Sequence, residues 1–171
     1  MNIVFRYWGL ILFVLSSIAI LSALIAEHIY NLLPCKMCLN QRYPYYFIIG
    51  TFIIYFFLRH FISIKKLYNI GIYILSEFAL IYGLFYSVWH VGIEQKIFKG
   101  PSSCANTVDE NLTLEEIKNK ILNQDIVSCT DINWSILGFS AATINTILFI
   151  LFILFNTIFI YYLYEKTKKE N

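Results

Sequence analysis

Residues 8–26 read WGLILFVLSSIAILSALIA, 19 residues without a charge. A helix that crosses a bilayer needs about 20 mainly apolar residues. Three more stretches meet that demand when the chain is followed outward: about 43–62, 70–91 and 136–163. Arg59 and His60 end the second and can snorkel to the interface. The third carries one acid, Glu77, and the fourth is interrupted mainly by Asn145 and Asn156. A backbone in lipid must satisfy its own hydrogen bonds, so these spans are expected to be helices. The alternation of a transmembrane barrel is absent.

Composition agrees. The 171 residues are 58% hydrophobic and 14% charged, where soluble domains run near 45–50% and about 25%. Mean hydropathy is +0.64. A soluble fold of this size has too much outer area to hide so much apolar surface. Disorder, collagen and a disulfide-dense secreted scaffold are excluded. The net charge of +2 gives no clustered basic face, and therefore no nucleic-acid partner. The expectation is an all-α membrane protein. It is a single transmembrane domain over 1–171, a four-helix bundle with outer loops at about 27–42 and 92–135. Leu24-Ile25-Ala26 lacks the small-x-small pattern of signal cleavage, so the first run reads as a retained span. Gly71, Gly83, Gly138 and Ser140 are expected to let helices approach closely.

Four spans put both termini on one side. That side holds Arg6, Arg59, Lys65, Lys66, Lys166, Lys168 and Lys169 against Glu165 and Glu170. The other holds six Lys and Arg against eight acids, most of them in one long loop. Short loops near span ends decide orientation, so the termini are read as cytoplasmic. All four cysteines then face the opposite, oxidising side: Cys35 and Cys38 before the second span, Cys104 and Cys129 in the long loop.

The first outer loop reads Leu33-Pro34-Cys35-Lys36-Met37-Cys38-Leu39-Asn40-Gln41-Arg42-Tyr43-Pro44. C-x-x-C is a dithiol redox pair, half a zinc site or a haem attachment. Haem attachment needs His where Leu39 stands. Zinc would need Cys104 and Cys129 folded back onto the pair, and that reading stays open. A second helix beginning near Cys38 would set Arg42 one turn on, on the same face. The helix start and the Arg42 charge would both favour a thiolate at Cys38. The alternative for Arg42 is an anchor to lipid phosphate.

The run PCKMCLNQR, the second cysteine pair, His90-Val91-Gly92-Ile93-Glu94 and Trp134-x-x-Leu137-Gly138-Phe139-Ser140 together resemble the DsbB family. These are disulfide bond formation proteins of the bacterial inner membrane. The resemblance implies a protein-dithiol:quinone oxidoreductase. A DsbA-like periplasmic thioredoxin-fold partner would attack Cys104, Cys129 would exchange with Cys35, and Cys38 would pass electrons to ubiquinone or menaquinone. Thiol exchange alone needs no membrane; a lipid-soluble acceptor does. Arg42 would stabilise charge developing on quinone oxygen. His90 and Glu94, four residues apart, suit quinone contact or proton transfer, and equally an interfacial capping pair. A Cys104–Cys129 bridge would close a loop of about 26 residues and stabilise by roughly 3–4 kcal/mol.

Between the pair, Thr113-x-x-Glu116 reads as a capping box opening a short amphipathic helix, which either lies on the membrane surface or is an ordinary solvated loop helix. Glu77, at a cost of about 3 kcal/mol if charged at mid-span, is assigned no role; a neutral Glu bonded to Ser or Tyr would suffice. Two competitors remain: a zinc-stabilised or disulfide-stapled scaffold without catalysis, and a vitamin K epoxide reductase-like enzyme. The second places its C-x-x-C towards a late span, which disfavours it here.

Overall fold

The computed structural model describes residues 7–61, 66–101, 129–130, 135–136 and 138–169. Cys104 and the helix expected from Thr113 lie outside them. The elements are α1 (Trp8–His28), α2 (Lys36–Asn40), α3 (Tyr43–Phe61), α4 (Lys66–Glu94), β1 (Ser135–Ile136), β2 (Phe139–Ser140) and α5 (Ala141–Lys169). Apart from the two short strands, the described structure is helical. Among the described residues, three helices are long and apolar enough to cross a membrane: α1, α4 from Ile70 to Glu94, and α5. α3, at 19 residues, is ~28 Å long at 1.5 Å per residue. Tyr43, Tyr45, Tyr46, Arg59 and His60 interrupt its apolar run.

α4 and α5 share the most extensive interface, α3 packs on both α1 and α4, and α1 touches α5 only slightly. Between them lies a core of Leu12, Ile48, Phe52, Leu80, Phe149 and Phe152. The opposite faces remain bare: Ile18, Leu21, Phe57, Phe78 and Phe85 are each more than half exposed. In lipid that is the stable arrangement, because the outer face meets hydrocarbon.

Small residues set the closest approach in two places. A Cβ on Gly83 of α4 would lie 2.4 Å from the Phe149 ring of α5, and one on Gly9 of α1 would lie 2.5 Å from the Tyr73 hydroxyl. Gly71, expected to do the same, has open space around it. Gly138 also has nothing within 4 Å; its φ of +83° is what requires glycine. It turns the chain so that Ser135 pairs with Ser140 and Ile136 with Phe139. This turn corrects the expected start of the last span. The helix begins at Ala141 rather than Ile136, where the Ser140 hydroxyl accepts the Thr143 N–H at 3.2 Å as an N-cap. Elsewhere α1 runs on to His28, α4 covers Lys66 to Glu94 and α5 runs on to Lys169, each past its expected span, while α3 stays within its own.

A polar knot joins three helices away from the cysteines. Asn156 of α5 accepts from Trp8 Nε1 at 3.1 Å and donates to Glu77 at 2.6 Å and to the Tyr73 carbonyl at 3.0 Å. Thr157 donates to the second Glu77 oxygen at 2.7 Å. Glu77 is thus satisfied by Asn and Thr, where Ser or Tyr was expected.

Candidate dithiol site

The site forms where α1 ends. Asn31, in the left-handed region at φ 52°, reverses the chain after the Leu32 N–H bonds the Ala26 carbonyl at 3.0 Å. The chain then enters α2 with Cys35 as its N-cap, whose Sγ accepts the Cys38 N–H at 3.3 Å. The sequence reading joined Cys38 to a helix running through Arg42. Instead α2 stops at Asn40, and Gln41 and Arg42 form a turn before Tyr43 opens α3.

The two thiol sulfurs lie 2.9 Å apart. The hydrogen bond from the Cys38 thiol, helped by His90 and opposed by burial, brings the Cys35 pKa down to about 4 from 9.0. The same hydrogen bond, burial and the Cys35 charge push Cys38 up, with Arg42 opposing weakly. As N-cap of α2, accepting the Cys38 N–H and facing His90, Cys35 is the sulfur on which the local donors favour negative charge, where the sequence reading favoured Cys38.

His90 and Glu94 come from the last two turns of α4. His90 Nε2 lies 3.6 Å from Cys35 Sγ and 4.0 Å from Glu94 Oε1. The other Glu94 oxygen accepts from the Ser140 hydroxyl at 2.5 Å, tying α4 to the start of α5. Arg42 Nη1 meets Glu27 Oε2 at 2.5 Å. Cys129 is held in a disulfide. It is fully buried and belongs to one cluster with Cys35, Met37 and Ile93. The sequence-read residues Cys35, Cys38, Arg42, His90 and Glu94 all line one cavity, with Cys129 packed in the cluster that holds Cys35.

The cavity measures about 350 Å³. Its long walls are apolar faces of α1 and α5, including Ala19, Ala23, Ala142 and Leu148. Its polar lining includes the N–H donors of Arg42, Gln41 and His90 and the Glu94 carboxylate. Sequence reasoning missed four contributors. Glu27 pairs with Arg42, and Ser140 holds Glu94. Gln41 accepts from Asn145 Nδ2 at 2.7 Å and meets His90 Nδ1 through its own Nε2 at 2.9 Å. Tyr45 donates to Asn145 Oδ1. The available signal was Asn145, a polar break in an apolar run.

A close dithiol, an imidazole on one sulfur and a disulfide-bonded cysteine packed nearby, at one end of apolar helices, define a membrane protein built for disulfide chemistry. The model of the family "Disulfide bond formation protein DsbB" matches residues 5–159, and the chain belongs to that family. It is also similar to a protein named "Uncharacterized protein RP370" from Rickettsia prowazekii (strain Madrid E), 30% identical over 146 residues, which cover 84% of this chain and 81% of that one. No solved structure matches.

Proposed function

We propose that this chain is a four-span inner-membrane enzyme that reoxidises a DsbA-like periplasmic dithiol protein and delivers the electrons to membrane quinone. In this reading the termini are cytoplasmic and the cysteines periplasmic. The observation that carries it is the packing of disulfide-bonded Cys129 in one cluster with Cys35, beside a cavity with apolar walls and N–H donors in its lining. That cavity suits a quinone: apolar surface for the tail and ring, N–H groups for its oxygens.

Exchange starts when the partner's two thiols pass two electrons and two protons to the Cys104–Cys129 pair. The Cys129 sulfur then attacks Cys35 of an oxidised Cys35–Cys38 pair, and Cys38 leaves as thiolate. Attack of Cys104 on Cys129 restores the first disulfide and releases Cys35. Bound quinone supplies the oxidising power, taking two electrons and two protons from the dithiol and leaving as quinol. While Cys35 is bonded to Cys129, the hydrogen bond and charge that raise Cys38 are gone and Arg42 still acts on it. Cys38 is then the sulfur that holds negative charge at the cavity. Arg42, with its fork of N–H donors, orients and stabilises charge on quinone oxygen. His90 donates towards Cys35, and Glu94 fixes the end of α4 to α5.

Purified protein given a reduced thioredoxin-fold dithiol substrate and a ubiquinone or menaquinone analogue should produce quinol. Undiminished turnover with both Cys35 and Cys38 changed to Ser would refute the reading.

A second reading is favoured by one observation. Cys35, Cys38 and His90 place their donor atoms within 4.8 Å of one another, a set suited to zinc. One zinc per purified chain, with thiols that quinone does not oxidise, would select it; metal-free protein with quinone-oxidised thiols rejects it.

A further inference from the structure

A chain of hydrogen bonds runs from a buried phenol on α3, across α5 and back through the turn before α3, to the imidazole that faces Cys35. Its direction is set at one end. The Tyr45 side chain is 3% exposed and its ring stacks on Phe149 at 4.9 Å between centroids. Its hydroxyl has Asn145 as hydrogen-bond partner among the described residues. Reversing the chain would leave the phenol hydrogen buried without an acceptor, a cost that folded proteins avoid. Tyr45 therefore donates to Asn145 Oδ1, which turns Asn145 Nδ2 towards Gln41 Oε1 at 2.7 Å. An amide carries its hydrogens at one end only. Gln41 must then present Nε2 to His90 Nδ1, 2.9 Å away. A nitrogen that faces a donor accepts, so the ring hydrogen resides on Nε2. There it faces Cys35 Sγ at 3.6 Å and the Glu94 carboxylate at 4.0 Å, both acceptors when charged, and the ring also hydrogen-bonds the Cys129 backbone.

We infer that residue 41 decides whether Nδ1 of His90 holds a proton, and that Tyr45 and Asn145 are positioning residues that turn the Gln41 amide to keep it bare. The use of this device rests on the oxidoreductase reading above. His90 donates to the Cys35 sulfur through Nε2, and its Nδ1 is taken up by the Gln41 N–H. The second nitrogen is withdrawn from acid–base work by a side chain that touches neither sulfur.

The test is nitrogen NMR of the full-length, reduced protein in nanodiscs, labelled at histidine, with His90 assigned through His90→Gln. Wild type should show a pyridine-type Nδ1 and a pyrrole-type Nε2 at neutral pH. Gln41→Glu offers Nδ1 an acceptor and should move it to the pyrrole-type position, giving a doubly protonated ring. Asn145→Asp leaves residue 41 and His90 untouched, but its carboxylate demands the Gln41 N–H. Gln41 should then turn its oxygen to His90 and produce the same shift. A doubly protonated wild-type ring, or an Nδ1 signal unmoved in both variants, overturns the inference. If one variant fails to fold, the other carries the test. Quinol formation by the wild type is measured in parallel. No turnover with the expected nitrogen pattern removes the oxidoreductase reading and leaves residue 41 in its role; turnover with an unmoved pattern does the reverse.

Discussion

Arg42 and Glu27 form an ion pair at 2.5 Å that fastens the turn between α2 and α3 to the last turn of α1. The pair is mostly sheltered, with side chains 12% and 24% exposed. It holds the guanidinium in the lining of the cavity, on the same short segment as the dithiol.

Glu27→Gln should therefore loosen this corner. Exposed pairs contribute up to about 1 kcal/mol and breaking a buried one costs about 3–5; a partly sheltered pair should lie near 1–2 kcal/mol. The expected result is a lower thermal midpoint in detergent, with Cys35 still reactive to alkylating agents. An unchanged midpoint would mean that the pair holds nothing in place.

Cys35 in the reduced protein should alkylate as a thiolate down to about pH 5, because its pKa is near 4. Cys38→Ala removes the largest cause and should move the rate profile upward towards ordinary thiol values. The sign for stability follows from linkage. The folded pKa lies below the unfolded one, so this contribution is present in full above the unfolded value near 9 and is lost as pH falls through about 4. Denaturation of the reduced protein at several pH values reads it. A stability of the reduced form that rose on acidification over this range would contradict the assignment.

Gly83→Ala should destabilise the bundle by about 1–3 kcal/mol, the usual cost of overpacking. The new methyl would fall 2.4 Å from Phe149, which cannot simply withdraw because it stacks on Tyr45. Gly71→Ala, at an open position, is the matched control and should leave the melting curve unchanged.

Asn156→Leu should cost about 1–2 kcal/mol, the upper range for polar contacts between membrane helices. It strips Glu77 of one donor and leaves Trp8 Nε1 without its acceptor. Reversible unfolding in mixed micelles measures the loss. Glu77→Gln keeps the shape but turns an acceptor-only group into one with a donor, and should cost less.

What was legible in the sequence was whatever repeats locally. Apolar length marked the four helices, and C-x-x-C with His90 and Glu94 at one end of the third span marked the dithiol cavity. Short-range pattern failed where a few residues compete. Ser140 and Gly138 delay the last helix, because a cap and a left-handed turn outweigh the apolar run through Ile136. α2 starts at Lys36, before Cys38, so Cys35 is its N-cap, and its break at Asn40 leaves Arg42 in a turn rather than on the same helix as Cys38. Contacts distant in sequence were invisible. Gln41 meets Asn145 across 104 positions, and Ser140 meets Glu94 across 46. Nothing periodic encodes such pairings; they exist only once the helices have packed.

The slight contact between α1 and α5 has its own consequence, since both helices wall the same cavity. On the proposed function, a grease-soluble reactant would reach that cavity from the hydrocarbon, and its supply would be two-dimensional traffic, governed by how much of it the surrounding bilayer holds. The protein substrate would arrive through three-dimensional diffusion in water, so the two supplies would be separate.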